Sequence, residues 1–328
     1  MNIKSSFVLI LSLLIGNYVH AQKITAVDLK KLRAKEDTLK EYALYLNTDS
    51  LPEDRMIADS AFTKTLVRAL QIKHSFFFPF DSVRGVSKLY APDTSFRIIT
   101  WNISYDDYYH RQRGAIQMRT ADGSLKLYPL RDFSEFTAGP EDSVRNRTNW
   151  IGATYYNIIK TQHLAKNYYT LFGFDNNSAQ SSMKWIDVLS FDEKNQPVFG
   201  AAPFFSYKND TATKKDKHRL GIEFKKGARV LVNFVPDMEM ILVDHLISET
   251  DQPELPFTLV PDGDQEGYKW VNGKWLHIDK VFTFKLQDGQ APVGDPLLDK
   301  KGNRNELKLE DKTNKNKEKE RLPITYDN

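Results

Sequence analysis

From residue 76 onward the chain repeats one pattern: short runs rich in aromatic and β-branched residues, set apart by turn chemistry, with no helical period between them. KLYAP, FRIITWNIS, GAIQM, LKLYPL, WIGATYYNII, YYTLFGF, KWIDVLSF, RLGIEF, ARVLVNFV and MEMILVDHL all have this form. Strands that follow one another without crossover helices pair antiparallel. The chain is therefore expected to be mainly β, an antiparallel sandwich, meander or open barrel. Asp122-Gly123, Lys226-Gly227 and Asn272-Gly273 supply turns, and the last of these is a strong hairpin signal. The strand–Pro-Asp–strand look of YAPDTSFRIITW suggests a propeller blade. About a dozen strands make only about three blades, however, and no fixed-period repeat is present, so a propeller is disfavoured.

Before the strands the period is helical. Leu29, Leu32, Leu39, Ala43 and Leu46 recur at three- and four-residue steps. Pro52 opens a second segment whose stripe is Ile57, Ala61, Phe62, Thr65, Leu66, Ala69 and Leu70. The short connection makes residues 22–75 an antiparallel helical hairpin, followed by a β-rich body over 76–292. Residues 1–21 read as a cleaved secretory signal, with Lys4 ahead of an apolar run and Val19 and Ala21 at the small-residue cleavage positions. Residues 293–328 read as a charged, disordered tail, in which nine basic residues stand against eight acidic ones from Asp295 to Asn328. No later apolar run reaches the length of a membrane span, so no transmembrane span is expected after signal cleavage. The expected location is periplasmic or secreted.

Composition removes several function classes. With no cysteine, the chain has no disulfide, thiol nucleophile or Cys-ligated metal. A net charge of +3 without a basic cluster gives no reason to expect nucleic acid. Stability must come from burial. No GxSxG elbow, Walker loop, GxGxxG fingerprint or HExxH pair is present, and the sequence requires no cofactor.

Three stretches carry candidate chemistry. In WNISYDDYYHRQR, Tyr105, Asp106, Asp107, Tyr109, His110 and Arg111 gather on a connection between strands, where carboxylate, imidazole and guanidinium could hold a polar ligand. The same pattern suits a solvated hairpin end. In FGFDNNS, Asp175 and Asn176 suit either a ligand contact or an Asx turn. In PDGDQEG, Asp262, Asp264 and Glu266 fall at alternate positions, as in the first half of a calcium loop; the twelfth position is Gly273, so an EF-hand is excluded and a looser calcium loop remains. Asp244 and His245, adjacent on a strand, should face opposite ways. Five tryptophans and fifteen tyrosines offer either stacking platforms for sugars or an ordinary β core.

A signal ending in HAQ followed by LYAPDTSFRIITWNI, NWIGATYYNII, YYTLFGFDNNS and KWIDVLSFDEKNQPVFG resembles a family of uncharacterised exported Bacteroidota proteins. The resemblance covers roughly residues 76 to 275. It implies lineage and an exported setting, and transfers no activity. The leading expectation is a noncatalytic exported protein that binds an envelope glycan or protein. The alternatives are a periplasmic hydrolase with a noncontiguous Asp/His/Glu site and a structural component of an envelope complex.

Overall fold

In the computed structural model of the chain, the residues described are 24–48, 50–106, 108–207, 214–282 and 314. The expected signal and tail fall outside them, apart from Asn314. The chain divides into two units, Met1–Val281 and Phe282–Asn328, and all that follows concerns the first.

Two helices open it: α1, Ala26–Thr48, and α2, Pro52–Leu70. Pro52 sits in the first turn of α2, where its missing N–H costs nothing, and Glu53 and Asp54 follow at the positive end of the helix dipole. Leu32, Leu39, Ala43 and Leu46 are buried, as their spacing requires. On α2 the stripe differs by one position. Ile57 is exposed, and Asp59 is buried in the face that packs. Asp59 accepts a hydrogen bond from Trp101 Nε1 at 2.9 Å and pairs with Arg113 Nε at 3.0 Å, so a polar side chain takes an inward position because two strands supply its partners.

The strands, numbered in chain order, form three sheets. The first is β1 (Ser87–Tyr90), β2 (Phe96–Ser104), β3 (His110–Met118) and β4 (Lys126–Arg131), an antiparallel meander in sequence order. The middle sheet runs β5 (Arg145–Asn146), β9 (Pro197–Phe199), β8 (Ser181–Phe191), β7 (Lys166–Asp175) and β6 (Thr154–His163), with β11 (Leu220–Lys225) also paired to β8. The third runs β10 (Phe205–Ser206), β15 (Lys274–Ile278), β14 (Leu259–Val271), β13 (Met240–Ser248) and β12 (Val232–Val235). All pairings are antiparallel except β10 with β15. The mainly β architecture with a preceding helical pair holds, and no barrel closes.

Strand alternation stacks these elements as helices, first sheet, middle sheet and third sheet. Ile99 and Trp101 of β2 pack against the helices with Phe62 and Leu66. Phe96 and Ile98 point the other way, to Tyr169, Leu171 and Trp185 of the middle sheet. Phe172, Ile186 and Val188 on the opposite face of the middle sheet meet Tyr268 and Trp275 of the third. A strand covered on both faces is buried along its whole length, and six consecutive residues of β2, Phe96 to Trp101, are. Each such fully buried large apolar side chain contributes about 1.5–3 kcal/mol.

Two arginines lie wholly inside. Arg97 donates to Gln117 Oε1, to the carbonyls of Phe78 and Ser75 and to Tyr90 Oη, with the rings of Phe76, Phe80 and Tyr90 around its guanidinium. Arg219 pairs with buried Asp187 at 2.9 Å and also donates to the carbonyls of Pro140, Ser143 and Phe199. The second network fastens the 140–143 segment to the middle sheet.

Asn272-Gly273 makes the expected two-residue hairpin, with φ of 50° and 81°. A second hairpin of the same kind joins β6 and β7 through Leu164-Ala165, at φ 47° and 60°. Neither residue signals a turn, and neither suits the left-handed region.

Candidate functional site

The 101–113 stretch and the 172–178 stretch, separate in sequence, meet at one end of the space between the first and middle sheets. His110 opens β3, so the connection from β2 is only Tyr105–Tyr109, and His110, Arg111 and Arg113 belong to a strand. Asp106 Oδ1 accepts the backbone N–H groups of Tyr108 and Tyr109, which makes it a turn cap. Asp107 lies outside the described residues. Arg111 reaches the carbonyl of Asp132 at 3.4 Å. Tyr105 packs on Tyr109, and Tyr109 Oη donates to Glu135 Oε2 at 2.9 Å.

Tyr109, His110 and Asp175 line a cavity of about 300 Å³, with Glu135, Trp185 and Met183 among its other walls. Two carboxyl-bearing segments converge there because Gln112, itself buried, ties them together. Its Nε2 donates to Asp175 Oδ1 and Asn102 Oδ1, its Oε1 accepts from Thr154, and its backbone N–H donates to Asp132. Asp132 in turn holds Ser134 through both its backbone N–H and its hydroxyl. Gly152 is needed at this junction, since a Cβ there would stand 2.6 Å from Gln112 Cβ.

Asp175 is the unusual group. Burial raises its carboxyl to about 6, and it does so against the hydrogen bonds from the Asn177 N–H and from Gln112. Asn176 is not part of this cavity's wall; its carbonyl accepts from Lys226. Trp185, 5% exposed, has an indole N–H with no hydrogen-bond partner among the described residues. The cavity wall carries two carboxylates, Glu135 and Asp175, and no lysine or arginine.

The 261–267 stretch departs most from expectation. It is not a loop: it lies within β14, a 13-residue strand. Residues 262–264 bulge out of register opposite His245, with Gly263 at φ +95°. An extended backbone spreads alternate side chains about 7 Å apart along one face instead of wrapping them round an ion. Each carboxylate meets its own partner: Asp262 contacts His245 Nδ1 at 2.8 Å, Asp264 contacts Lys280 at 2.5 Å, and Glu266 contacts His277 Nε2 at 2.9 Å. Among the described residues no three His, Asp or Glu side chains are grouped to hold a metal ion.

Glu266 and His245 instead belong to a second cavity of about 400 Å³, walled by Glu141, Lys217, Tyr207 and Tyr268. His277 is buried behind Glu266, against the rings of Tyr207 and Tyr268. Burial works against ionisation of Glu266, but the hydrogen bond from His277 overrides it and holds the carboxyl below its ordinary range. Asp244 turns away from the Asp262–His245 contact, accepting from the Leu231 N–H and the Gln265 amide. Gly221 of this cavity lies beside Trp185 of the first, on paired strands: a Cβ on Gly221 would stand 2.7 Å from the indole.

Four of the five tryptophans, Trp101, Trp150, Trp185 and Trp275, are buried, and Trp270 is half-buried. The aromatic stacking platform allowed by composition is thereby largely spent on the core. Glu135 and Gln112 carried no sequence signal, since each acquires its role only when the first sheet packs on the middle one. No helix among the described residues is long and apolar enough to cross a membrane. No protein-family model, curated protein or solved structure matches this chain.

Proposed function

We propose that this is an exported binding protein that holds a small, uncharged or cationic polar ligand in the cavity at Asp175. The carrying observation is the convergence of Asp175, Glu135, His110 and the Trp185 indole N–H, unpartnered among the described residues, on one concavity without a lysine or arginine in its wall. Such a wall repels carboxylates and phosphates. It suits a ligand with hydroxyl or amino donors for the two carboxylates. The volume is that of a small molecule, at the lower end of ordinary ligand sites. The N-terminal signal pattern and the resemblance to exported Bacteroidota proteins support the setting.

The test is thermal unfolding and calorimetric titration against neutral monosaccharides, amino sugars, simple amines and, as controls, sugar acids. A true ligand at 100 times its Kd raises stability by about 2.7 kcal/mol, or Tm by about 5–10 °C. Asp175→Asn and Glu135→Gln should abolish the shift. A shift that survives both variants, or none across the panel, defeats the reading.

One observation favours a hydrolase as the second reading. A carboxyl titrating near 6 beside a second carboxylate is the pairing that lets one act as acid and the other as base. Turnover of chromogenic glycosides or esters, with an acidic limb near pH 6 lost in Asp175→Asn, would establish it. For the third reading, Leu44, Tyr45, Leu51, Met56 and Ile57 are exposed near the turn of the helical pair, a surface for a protein neighbour. Loss of an envelope partner on changing Met56 and Ile57 to serine would support that role.

A further inference from the structure

The opposite face of the middle sheet carries a third concavity, and its chemistry is reversed. It has a volume of about 640 Å³ and is lined by Lys184, Lys226 and Arg229 with a floor that includes Phe174, Phe224 and Val230. Its single carboxylate, Asp244, spends both oxygens on the Leu231 N–H at 2.6 Å and the Gln265 amide at 2.9 Å. The cations are left in excess.

They are also unevenly engaged. Lys184 extends across the ring of Tyr156 and donates once, to the carbonyl of Val230 at 2.5 Å, which leaves two of its three ammonium protons. Burial lowers its affinity for a proton, as expected of a cation that has lost water without gaining a contacting carboxylate. Lys226 is committed to the carbonyls of Asn176 and Ser178 and contributes charge more than contact. Arg229 is exposed and has no ion pair among the described residues. The independent sign is Ser182. It is 4% exposed and turns its hydroxyl-bearing side chain into the wall of the concavity, between the cations and the apolar floor.

A cationic rim, a hydroxyl in the wall and a floor that includes two phenylalanines call for an acid group joined to a hydrocarbon body. We propose that this face is a second binding site, for an anionic amphiphile whose carboxylate or phosphate lies between Lys184, Arg229 and Ser182 and whose chain lies on Phe174, Phe224 and Val230. A free inorganic anion would leave the apolar floor in water, and a neutral hydrocarbon would bury the lysine without compensation. The site is separate from the Asp175 cavity and does not rest on the reading given to it.

The experiment is calorimetric titration of the purified protein, below micellar concentrations, with four probes of one chain length: dodecanoate, dodecyl phosphate, dodecanol and dodecyltrimethylammonium. At least one of the two acids should bind tenfold or more tighter than dodecanol, with no binding of the ammonium. Preference for the carboxylate would point to a fatty acid, and preference for the phosphate to a lipid phosphate. Arg229→Gln, an exposed change that should leave the fold intact, should weaken the acid about tenfold and leave dodecanol unchanged. Ser182→Ala should weaken it less, and Asp175→Asn not at all. Equal binding of dodecanoate and dodecanol, no binding of either acid, or an Arg229→Gln protein that binds as well as the parent would overturn the proposal.

Discussion

The two faces of the middle sheet are built from the same strands and have opposite chemistry. On β7 and β8, Asp175, Met183 and Trp185 turn towards the first sheet, and Phe174, Ser182 and Lys184 turn towards the third. One side gathers carboxylates without a cation in the wall; the other gathers cations around a carboxylate that is already satisfied. Both keep a charged group in a place that disfavours its charge: Asp175 is raised to about 6 and Lys184 is lowered, each chiefly by burial. The buried arginines show the contrasting case. Arg97 and Arg219 are more deeply enclosed, yet nearly every donor has an acceptor. Polar groups that are fully paired hold a fold together, whereas those held in an unfavourable state beside a cavity mark places for a ligand.

The largest break in this comparison is expected from Arg219→Met. It leaves Asp187 buried without its partner and releases the 140–143 segment beside the acidic cavity, so chemical denaturation should show a loss of about 3–5 kcal/mol. Gly221→Ala drives a methyl into the Trp185 ring and should cost about 1–3 kcal/mol. It should weaken any ligand of the acidic face and spare the basic one.

Removing the strained charges should do the reverse and stabilise. Asp175→Asn keeps an oxygen for both Gln112 and the Asn177 N–H while deleting the desolvated carboxylate. A carboxyl whose folded value lies above its unfolded 3.8 binds the extra proton in the native state, so stability falls as pH rises from about 4 to 6 and stays low above. The variant should therefore gain about 2 kcal/mol at pH 7.5 and nothing at pH 3.5, measured by urea unfolding. For Lys184 the sign is mirrored: a lowered amine destabilises at every pH below its folded value, and Lys184→Met should gain stability at pH 7 and lose that gain above pH 10.5.

Smaller effects sharpen the picture. Replacing Leu164-Ala165 by Asn-Gly relieves two left-handed residues and should raise stability by about 1–2 kcal/mol in thermal unfolding. Lys225→Ala breaks a half-exposed pair with Glu249 and should change stability by less than about 0.5 kcal/mol. Added calcium should leave Tm where it was, because Asp262, Asp264 and Glu266 are engaged by three different side chains, His245, Lys280 and His277.

Much of the body could be read in the residues. The strands from FRIITWNIS to MEMILVDHL, the helical pair with Pro52 at its second start, and the Asn272-Gly273 turn all follow from local period and backbone preference. The Leu164-Ala165 turn could not, because its conformation is imposed by the register of β6 with β7 against the preference of both residues. Ile57, expected in the buried stripe, is exposed while Asp59 is buried, for a similar reason: Asp59 has partners on β2 and β3, and no helical periodicity can announce partners more than 40 residues away.

The sequence by itself determined the kinds of element, their order, the absence of cysteine chemistry and the alternation that gives every strand two faces. These depend on interactions between near neighbours, which spacing records directly. Only the tertiary structure decided that Tyr109, His110 and Asp175 would share a wall and that the 262–266 carboxylates would each meet a different partner. A site is a set of distances between residues far apart in the chain, and those distances exist only once three sheets have stacked and fixed which face of each strand meets which.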